Sequence, residues 1–327
     1  MITLEGNRFF QFSVGDTSDY HIGQSLDTIA MGDFYLSGRS DNAAESVLSG
    51  AIVDSTGALT GDKGSFINIA NGIKSNVEIS DVTIQDAFKN GNGSVIDNNS
   101  ADAVITLDNT IIKNNSSTGN GGAVYNDGGK IIISDSSFTN NKAENDGGAV
   151  FNASGEVSLN NVNFAAADQN TGAKNDIHNS GNIITSGNNT FASDITNNGS
   201  LNFAGTNNVS GNISGADTGT ITNTGILNLS GDNSVYEGAF SQTAGTTTVT
   251  DNFFGGTSTI SNGTLNWYTS KDLPANGKLL IENGRFNIGK DGLHAVLTLK
   301  SGSSIAESAA ANINSCLLYT SDAADDM

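Results

Sequence analysis

Gly121-Gly122-Ala123-Val124-Tyr125-Asn126 and Gly147-Gly148-Ala149-Val150-Phe151-Asn152 are two closely similar hexapeptides, and equivalent positions in them differ by 26 in residue number. Apolar residues recur at the same interval in two series, Leu107, Ile133 and Leu159, and Ile112, Phe138 and Phe164. A fixed period of this length indicates a repeat protein in which each repeat is one turn of a coil. Equivalent side chains would then lie above one another in apolar columns.

Glycines that precede short alternating apolar segments continue the repeat along the chain. They are Gly129, Gly155, Gly181, Gly199, Gly225, Gly245, Gly263 and Gly284, with successive steps in residue number of 26, 26, 18, 26, 20, 18 and 21. Within a repeat, apolar and polar residues alternate at period two, which is typical of strands, and helical periodicity is missing. The sequence therefore predicts an all-β fold, a right-handed parallel β-helix of roughly ten coils.

The composition of the 327 residues agrees with sharp turns between short strands. There are 40 glycines and 44 asparagines, which tolerate positive φ, and one proline, Pro274, which would remove a donor from a strand ladder. The formal net charge of -20 excludes nucleic acid as a partner and disfavours anionic lipid surfaces. No apolar run approaches about 18 residues, so we expect no membrane-spanning helix. The single cysteine, Cys316, permits neither an intramolecular disulfide nor a cysteine metal cluster.

The two hexapeptides alternate with Phe138-Thr139-Asn140-Asn141. A Gly-Gly-Ala-(Ile/Val/Leu) motif that alternates with Phe-x-x-Asn resembles the repeat of polymorphic outer-membrane proteins, a branch of the Gram-negative autotransporter passengers. The resemblance covers residues 103–164, and from residue 175 onward the chain is similar to the Gly/Asn/Thr-rich repeats of large bacterial adhesins. The resemblance implies an extracellular β-helix tethered to the outer membrane. The implied partner is a protein or glycan on a host or neighbouring cell.

The pattern divides the chain into four segments. Residues 1–60, with the apolar islands Phe9-Phe10-Gln11-Phe12 and Phe34-Tyr35-Leu36, are expected to form irregular first coils or a cap, and residues 61–301 the β-helix repeats. Residues 302–314 are a Ser/Ala-rich end segment. Residues 315–327 break the repeat and resemble translated sequencing-adapter sequence, so we expect a non-native tail. No signal peptide and no series of barrel strands is recognised, so both ends are expected to be truncated.

Catalytic, cofactor-binding and metal-binding residues are not predicted. Asp81, Asp108 and Asp135 recur at equal intervals after a strand, where Asx side chains form turns, and we interpret them as turn residues. The three histidines, His21, His178 and His294, lie far apart in the sequence. His178 aligns with the region of Phe151-Asn152 one repeat earlier and is expected to be a coil residue and not a general base.

Two aromatic pairs are candidate ligand contacts. If Trp267-Tyr268 and Phe253-Phe254 lie in strands, one member of each pair points outward and could stack on sugar rings. We therefore predict a non-catalytic, surface-exposed adhesin without a cofactor that binds through repetitive faces. A polysaccharide-active β-helix lyase or hydrolase is the first alternative, and it would show a groove with convergent carboxylates or a basic residue. A structural surface-layer component that associates end to end is the second alternative.

Overall fold

The computed structural model of the protein describes residues 8–11, 20–21, 32–38, 42–49, 65–166, 176–275, 277–289, 304–307 and 312–314. Contacts divide the chain into two compact units, Met1–Ile183 and Ile184–Met327. Apart from one short 3-10 helix, Ala43–Glu45, the regular elements of the described part are β-strands that pair in parallel. The predicted all-β fold, a parallel β-helix, is confirmed.

The first unit is a coil of four strand rows. The first row consists of Arg8–Gln11, Gly32–Ser37, Ser75–Ser80, Val104–Asp108 and the later parts of Val124–Ser134 and Val150–Asn160. The second row consists of Tyr20–His21, Val47–Ser49, Thr83–Gln85, Ile111–Lys113, Ser137–Thr139 and Asn163–Phe164. The third row is Phe88–Lys89, Ser116–Ser117 and Lys142–Ala143. The fourth row is Ile67–Ile69, Ile96–Asn98, the first residues of Val124–Ser134 and of Val150–Asn160, and Ile177–Asn179.

The second unit has shorter coils, and the unit boundary falls within the strand Asn182–Ser186. One row is Ser200–Phe203, Thr220–Asn223, Ala239–Gln242, Thr257–Ile260, Lys278–Ile281 and Ser304–Glu307. The facing row is Asn188–Phe191, Thr206–Val209, Ile226–Leu229, Thr246–Val249, Thr264–Trp267, Arg285–Ile288 and Asn312–Asn314. The short strands Ile195–Asn197 and Ile213–Ser214 pair in a third row.

The core of the first unit consists of the predicted apolar columns. The register pairs Leu107 with Ile133 and Ile133 with Leu159, all essentially inaccessible to solvent. It also pairs Ile112 with Phe138 and Phe138 with Phe164, and these two rings stack with their centroids 4.8 Å apart. Burial of each such side chain stabilises the coil by about 1.5–3 kcal/mol relative to exposure. The repeat period predicted from the sequence is therefore the length of one coil in this part of the chain.

The core of the second unit holds larger rings in less regular packing. Trp267 follows Val249 in its inward column and is fully buried. Phe253 and Phe240 contact each other edge to face, and Phe253 makes the same kind of contact with Trp267. Because the coils of this unit are shorter than those of the first, each buries fewer side chains, and large aromatic side chains fill the interior.

The single glycine register predicted from the sequence is wrong at the step from Gly199 to Gly225. Leu201, which follows Gly199, pairs with Ile221, whereas the amide of Ile226, which follows Gly225, donates to the carbonyl of Gly205. Gly225 therefore stacks on Gly205 of the preceding coil, and the apparent step from Gly199 to Gly225 joins two different rows. The glycine pattern in the sequence is ambiguous because each coil of this unit contains two strands with inward apolar side chains, and a glycine precedes each of them.

The terminal segments contribute strands to the same rows. Arg8–Gln11 pairs with Gly32–Ser37, which pairs in turn with Ser75–Ser80. Leu36 is buried, and the side chains of Phe9 and Phe10 lie outside the described residues. At the other end, Ser304–Glu307 and Asn312–Asn314 pair with the last strands of the repeats. The rest of residues 302–327, including Cys316, lies outside the described residues. The Ser/Ala-rich end segment and the non-native tail therefore stay predictions.

Candidate functional site

The asparagine that closes each hexapeptide is part of a buried ladder and is not a surface group. Asn98, Asn126, Asn152 and Asn179 are fully buried. Each Nδ2 donates to the Oδ1 of the next asparagine, at 2.8, 2.9 and 2.9 Å. Side-chain amides suit this position because each carries both a donor and an acceptor. The ladder satisfies buried polar groups at the bend between the fourth and first rows.

The Phe-x-x-Asn motif is likewise structural. Phe138 lies in the core column, and Asn141, three residues later, is fully buried. Asn141 Oδ1 accepts hydrogen bonds from the backbone amide and from Nδ2 of Asn115, at 3.1 and 3.0 Å. Asn141 Nδ2 donates to the carbonyl of Ile112 at 3.0 Å. The buried residues of both repeat motifs therefore stabilise the coil and are not accessible at its surface.

The acidic residues that recur after the first row form turns. Asp81 and Asp135 have φ of 59° and 48°, in the left-handed region, and Asn109 and Asn161 occupy the same place with 47° and 56°. Asn109 Nδ2 donates to Asp81 Oδ1 at 2.8 Å, and Asn161 Nδ2 to Asp135 Oδ1 at 2.9 Å. Asp108, predicted as an equivalent turn residue, is not one, because Asn109 takes the positive φ and Asp108 ends the strand.

Three outward rings lie in register on the fourth row of the first unit. The register pairs Tyr125 with Phe151 and Phe151 with His178, and we call these three residues the aromatic column. The Tyr125 and Phe151 ring centroids are 5.7 Å apart, and those of Phe151 and His178 are 4.6 Å apart. Both pairs are nearly parallel, with interplanar angles of 14° and 15°. All three side chains are half-buried, so the stack stabilises the coils and also presents ring edges to solvent.

Polar turn residues border one side of the aromatic column. Asn92 Oδ1 accepts from the backbone amide of Asn120 at 2.8 Å, and Asn120 Oδ1 accepts from that of Asp146 at 3.2 Å. Asp146 is the last member of this series among the described residues, and its Oδ2 lies 3.9 Å from His178 Nδ1. At the Tyr125 end, the register places Asp97 beside the ring. Lys89 pairs with the largely buried Asp97 carboxylate.

The column changes the acid–base properties of its two ionisable members. Burial raises the pKa of the Tyr125 phenol, and the carboxylates of Asp127 and Asp97 raise it further. Burial also lowers the pKa of the His178 imidazole, although the carboxylates of Asp146 and Asp176 oppose that change. Both groups are therefore neutral near pH 7. The aromatic column is an uncharged strip bordered by carboxylates.

The predicted aromatic ligand contacts are partly wrong. Phe253 and Phe254 are both fully buried, because they lie in a turn segment and not in a strand, so neither points outward. Trp267 is fully buried and Tyr268 is half-buried, which is the expected alternation. Tyr125 and Phe151 are surface aromatic residues that were not predicted as ligand contacts from the sequence. The available signal was the aromatic residue that follows valine in both hexapeptides.

His178 lies opposite Phe151, as predicted, in the strand Ile177–Asn179. The side chain of His21 and the whole of His294 lie outside the described residues. Within the part of the chain that the structure describes, no three His, Cys, Asp or Glu side chains are grouped so that they could hold a metal ion. The same described residues include no helix that is long and apolar enough to cross a membrane.

Comparison with known families identifies two repeats. Residues 109–127 and 135–153 each match the model of the Chlamydia polymorphic membrane protein (Chlamydia_PMP) repeat. Each match begins at a left-handed turn residue, Asn109 or Asp135, and ends one residue after the ladder asparagine, Asn126 or Asn152. Searches of curated proteins and of solved structures gave no match. The chain therefore carries polymorphic membrane protein repeats, as its motifs predicted, and this family resemblance implies a passenger located at the outer membrane or cell surface.

Proposed function

We propose that the chain is a non-catalytic adhesin whose outward faces bind a protein or glycan on a host or neighbouring cell. The observation that carries the proposal is that the repeats have buried inward side chains that form the core and outward aromatic side chains that reach the surface. Inward repeat positions such as Asn126 and Phe138 are fully buried, whereas outward positions of the coils place Tyr125, Phe151 and His178 in a stack that is only half-buried. Aromatic side chains are enriched where proteins contact partners, because they bury a large area at little conformational cost.

The negative charge of the carboxylates around the aromatic column favours a partner whose contacting surface is neutral or basic. Asp127 is exposed, and the side chain of Asp146 is 63% exposed beside His178. An acidic partner would be repelled by these carboxylates and by the formal net charge of -20.

Adhesion of coated beads tests the proposal directly. Beads that carry the full chain should adhere to epithelial monolayers or to bacterial cells more than beads that carry albumin. Phe151→Ser removes the central ring and should reduce adhesion several-fold, although loss of two stacking contacts should leave the fold intact, at about 0.5–1.5 kcal/mol per contact. Phe88→Ser is the matched control, because Phe88 is an exposed ring, 37% accessible, on the third row of the same unit. Adhesion equal to that of albumin on every cell type, or equal loss in both variants, would contradict the proposal.

A hydrolase is the second candidate, and one arrangement favours it. Ser180 Oγ lies 3.4 Å from His178 Nε2, and Asp146 Oδ2 lies 3.9 Å from His178 Nδ1. This order of groups resembles that of a serine nucleophile, its base and an orienting carboxylate. However, 3.9 Å is too long for a hydrogen bond, and the amides of Ser180 and Gly181 already donate to the carbonyl of Asn152. These two backbone amides are therefore not free to stabilise an oxyanion.

Product release separates the two candidates. The chain would be incubated with acetylated and unacetylated polysaccharides, and released acetate and reducing ends would be measured. A non-catalytic adhesin should release neither. Release that is abolished by Ser180→Ala would establish the hydrolase and overturn the non-catalytic function.

A further inference from the structure

The strands of the second unit differ in charge from those of the first. From Asn188–Phe191 to Thr264–Trp267, no described strand contains Asp, Glu, Lys, Arg or His. The acidic residues of this interval, such as Asp194 and Asp251, lie in turns between strands. In the first unit, by contrast, outward strand positions carry charges, such as the ion pair of Lys130 with Glu156. These strands thus present uncharged faces in a strongly acidic chain, whereas the next strands of the second unit, Lys278–Ile281 and Arg285–Ile288, each begin with an exposed cation.

One of these faces is formed by the strands Thr206–Val209, Ile226–Leu229, Thr246–Val249 and Thr264–Trp267, and we call it the neutral face. Its central column consists of Asn208, Asn228, Thr248 and Asn266 in register. Neighbouring strands in such a stack lie about 4.8 Å apart, so amide and hydroxyl groups recur at that interval along the face.

The polar groups of the neutral face are held in place before any ligand binds. Asn228 Nδ2 donates to Asn208 Oδ1 at 2.8 Å, and β-branched threonines have restricted rotamers in strands. An asparagine that donates one N–H to its neighbour retains a second N–H and a further lone pair for another partner. Pre-ordered donors and acceptors lose little conformational entropy when a ligand binds.

Apolar contact is available on the same face. Ile226 is 47% exposed in the column beside Asn228. Tyr268 directly follows the strand Thr264–Trp267, two positions after Asn266, and its amide donates to the carbonyl of Val249 in the neighbouring coil. Tyr268 is therefore on the outward side, half-buried, with an apolar ring and a polar hydroxyl.

We propose that the neutral face binds an uncharged polysaccharide chain that runs along the stack of coils. Hydroxyl-rich sugars match the regular amide and hydroxyl groups, and Ile226 and Tyr268 offer contacts for the apolar faces of sugar rings. Acidic glycans are disfavoured because the formal net charge of -20 repels them and the four strands of the neutral face contain no cation. The next strand of the same row adds one cation, Arg285, beside Thr264 at the edge of the face. A second copy of the chain would bring the same net charge and the same repulsion. The neutral face consists of other residues than the aromatic column, so the inference goes beyond the proposed adhesin function and does not depend on it.

Affinity gel electrophoresis of the full chain tests the proposal without reference to cell adhesion. Gels would contain β-glucan, galactomannan, dextran or yeast mannan as neutral probes and polygalacturonate or hyaluronate as acidic ones. We expect retardation by at least one neutral glycan, little change in that retardation with added salt, and none by the acidic glycans. Retardation by no neutral glycan, or by the acidic ones, would overturn the proposal. Failure of bead adhesion alongside neutral-glycan retardation would overturn only the cell-adhesion function.

Two matched variants locate the site. Thr248→Lys inserts a charged, long side chain into the central column and should weaken retardation at least fivefold. Thr222→Lys makes the same change at a half-buried outward position in Thr220–Asn223, on the facing row, and should leave retardation unchanged. Tyr268→Ser, a second change on the neutral face, should also weaken it, and thermal unfolding by circular dichroism identifies any variant that fails to fold. Equal retardation of Thr248→Lys and Thr222→Lys would overturn the assignment. Concentration-dependent dimers that Thr248→Lys abolishes, in the absence of glycan binding, would assign the face to a second copy instead.

Discussion

Replacement of Asn126 by alanine tests the view that the buried asparagine ladder stabilises the coil. Asn126 Nδ2 donates to Asn152 Oδ1 at 2.9 Å and to the carbonyl of Ser154 at 3.0 Å, and Asn126 Oδ1 accepts from Asn98 Nδ2 at 2.8 Å. Alanine removes all three hydrogen bonds in a fully buried site. At about 1 kcal/mol for each bond, the free energy of unfolding should fall by about 3 kcal/mol, and by more if partner groups stay unsatisfied.

Urea unfolding followed by far-ultraviolet circular dichroism measures this change. Asn126→Asp should destabilise the chain more than alanine, because a carboxylate cannot donate to Asn152 and its charge would be buried. Asn228→Ala is the control, because Asn228 makes a hydrogen bond to Asn208 on the exposed face, where its loss should change stability by less than about 1 kcal/mol. If Asn126→Ala and Asn228→Ala lower the free energy of unfolding equally, the ladder does not have the proposed role.

Three further predictions concern the core and the ionisable groups. Phe138→Ala should lower the free energy of unfolding by about 3–5 kcal/mol, measured by urea titration, because it leaves a cavity between its neighbours in the core column. The pKa of His178, followed by NMR titration, should lie below 6.5 because the buried imidazole resists protonation. The neutral imidazole therefore stabilises the fold above pH 6.5, and this stabilisation is lost as the pH falls from 6.5 through the pKa of the folded state. Asp146→Asn removes a carboxylate that raises the pKa of His178 and should lower that pKa further. Burial raises the pKa of Tyr236 to about 12, so stability should fall as the pH rises from about 10 to about 12, and Tyr236→Phe should remove that part of the pH dependence. The core argument would be contradicted if Phe138→Ala lowered the free energy of unfolding by less than about 1 kcal/mol. The argument for His178 would be contradicted by a pKa above 6.5. The argument for Tyr236 would be contradicted if Tyr236→Phe left the dependence of stability on alkaline pH unchanged.

The repeat period, the fold class and the core columns could be predicted from the sequence. Leu107, Ile133 and Leu159 have identical spacing, and stacking equivalent residues in successive coils is the way in which a chain with sparse apolar content forms a continuous core. The alignment of His178 with Phe151 followed from the same register. Local periodicity sufficed here because the contacts of each coil are with its immediate neighbours.

Tertiary structure alone decided which row each glycine turn precedes and which polar side chains are buried. Gly199 and Gly225 have the same local pattern, but strand pairing places Gly225 on Gly205. Asn126 and Asn228 are the same residue type in strands, yet one lies in a buried ladder and the other on an exposed face. Burial depends on the bend of the coil at each position, and a single sequence does not encode that bend in any local signal. The surfaces proposed to bind ligands are defined by that geometry, because they are the positions that the columns and ladders leave outside.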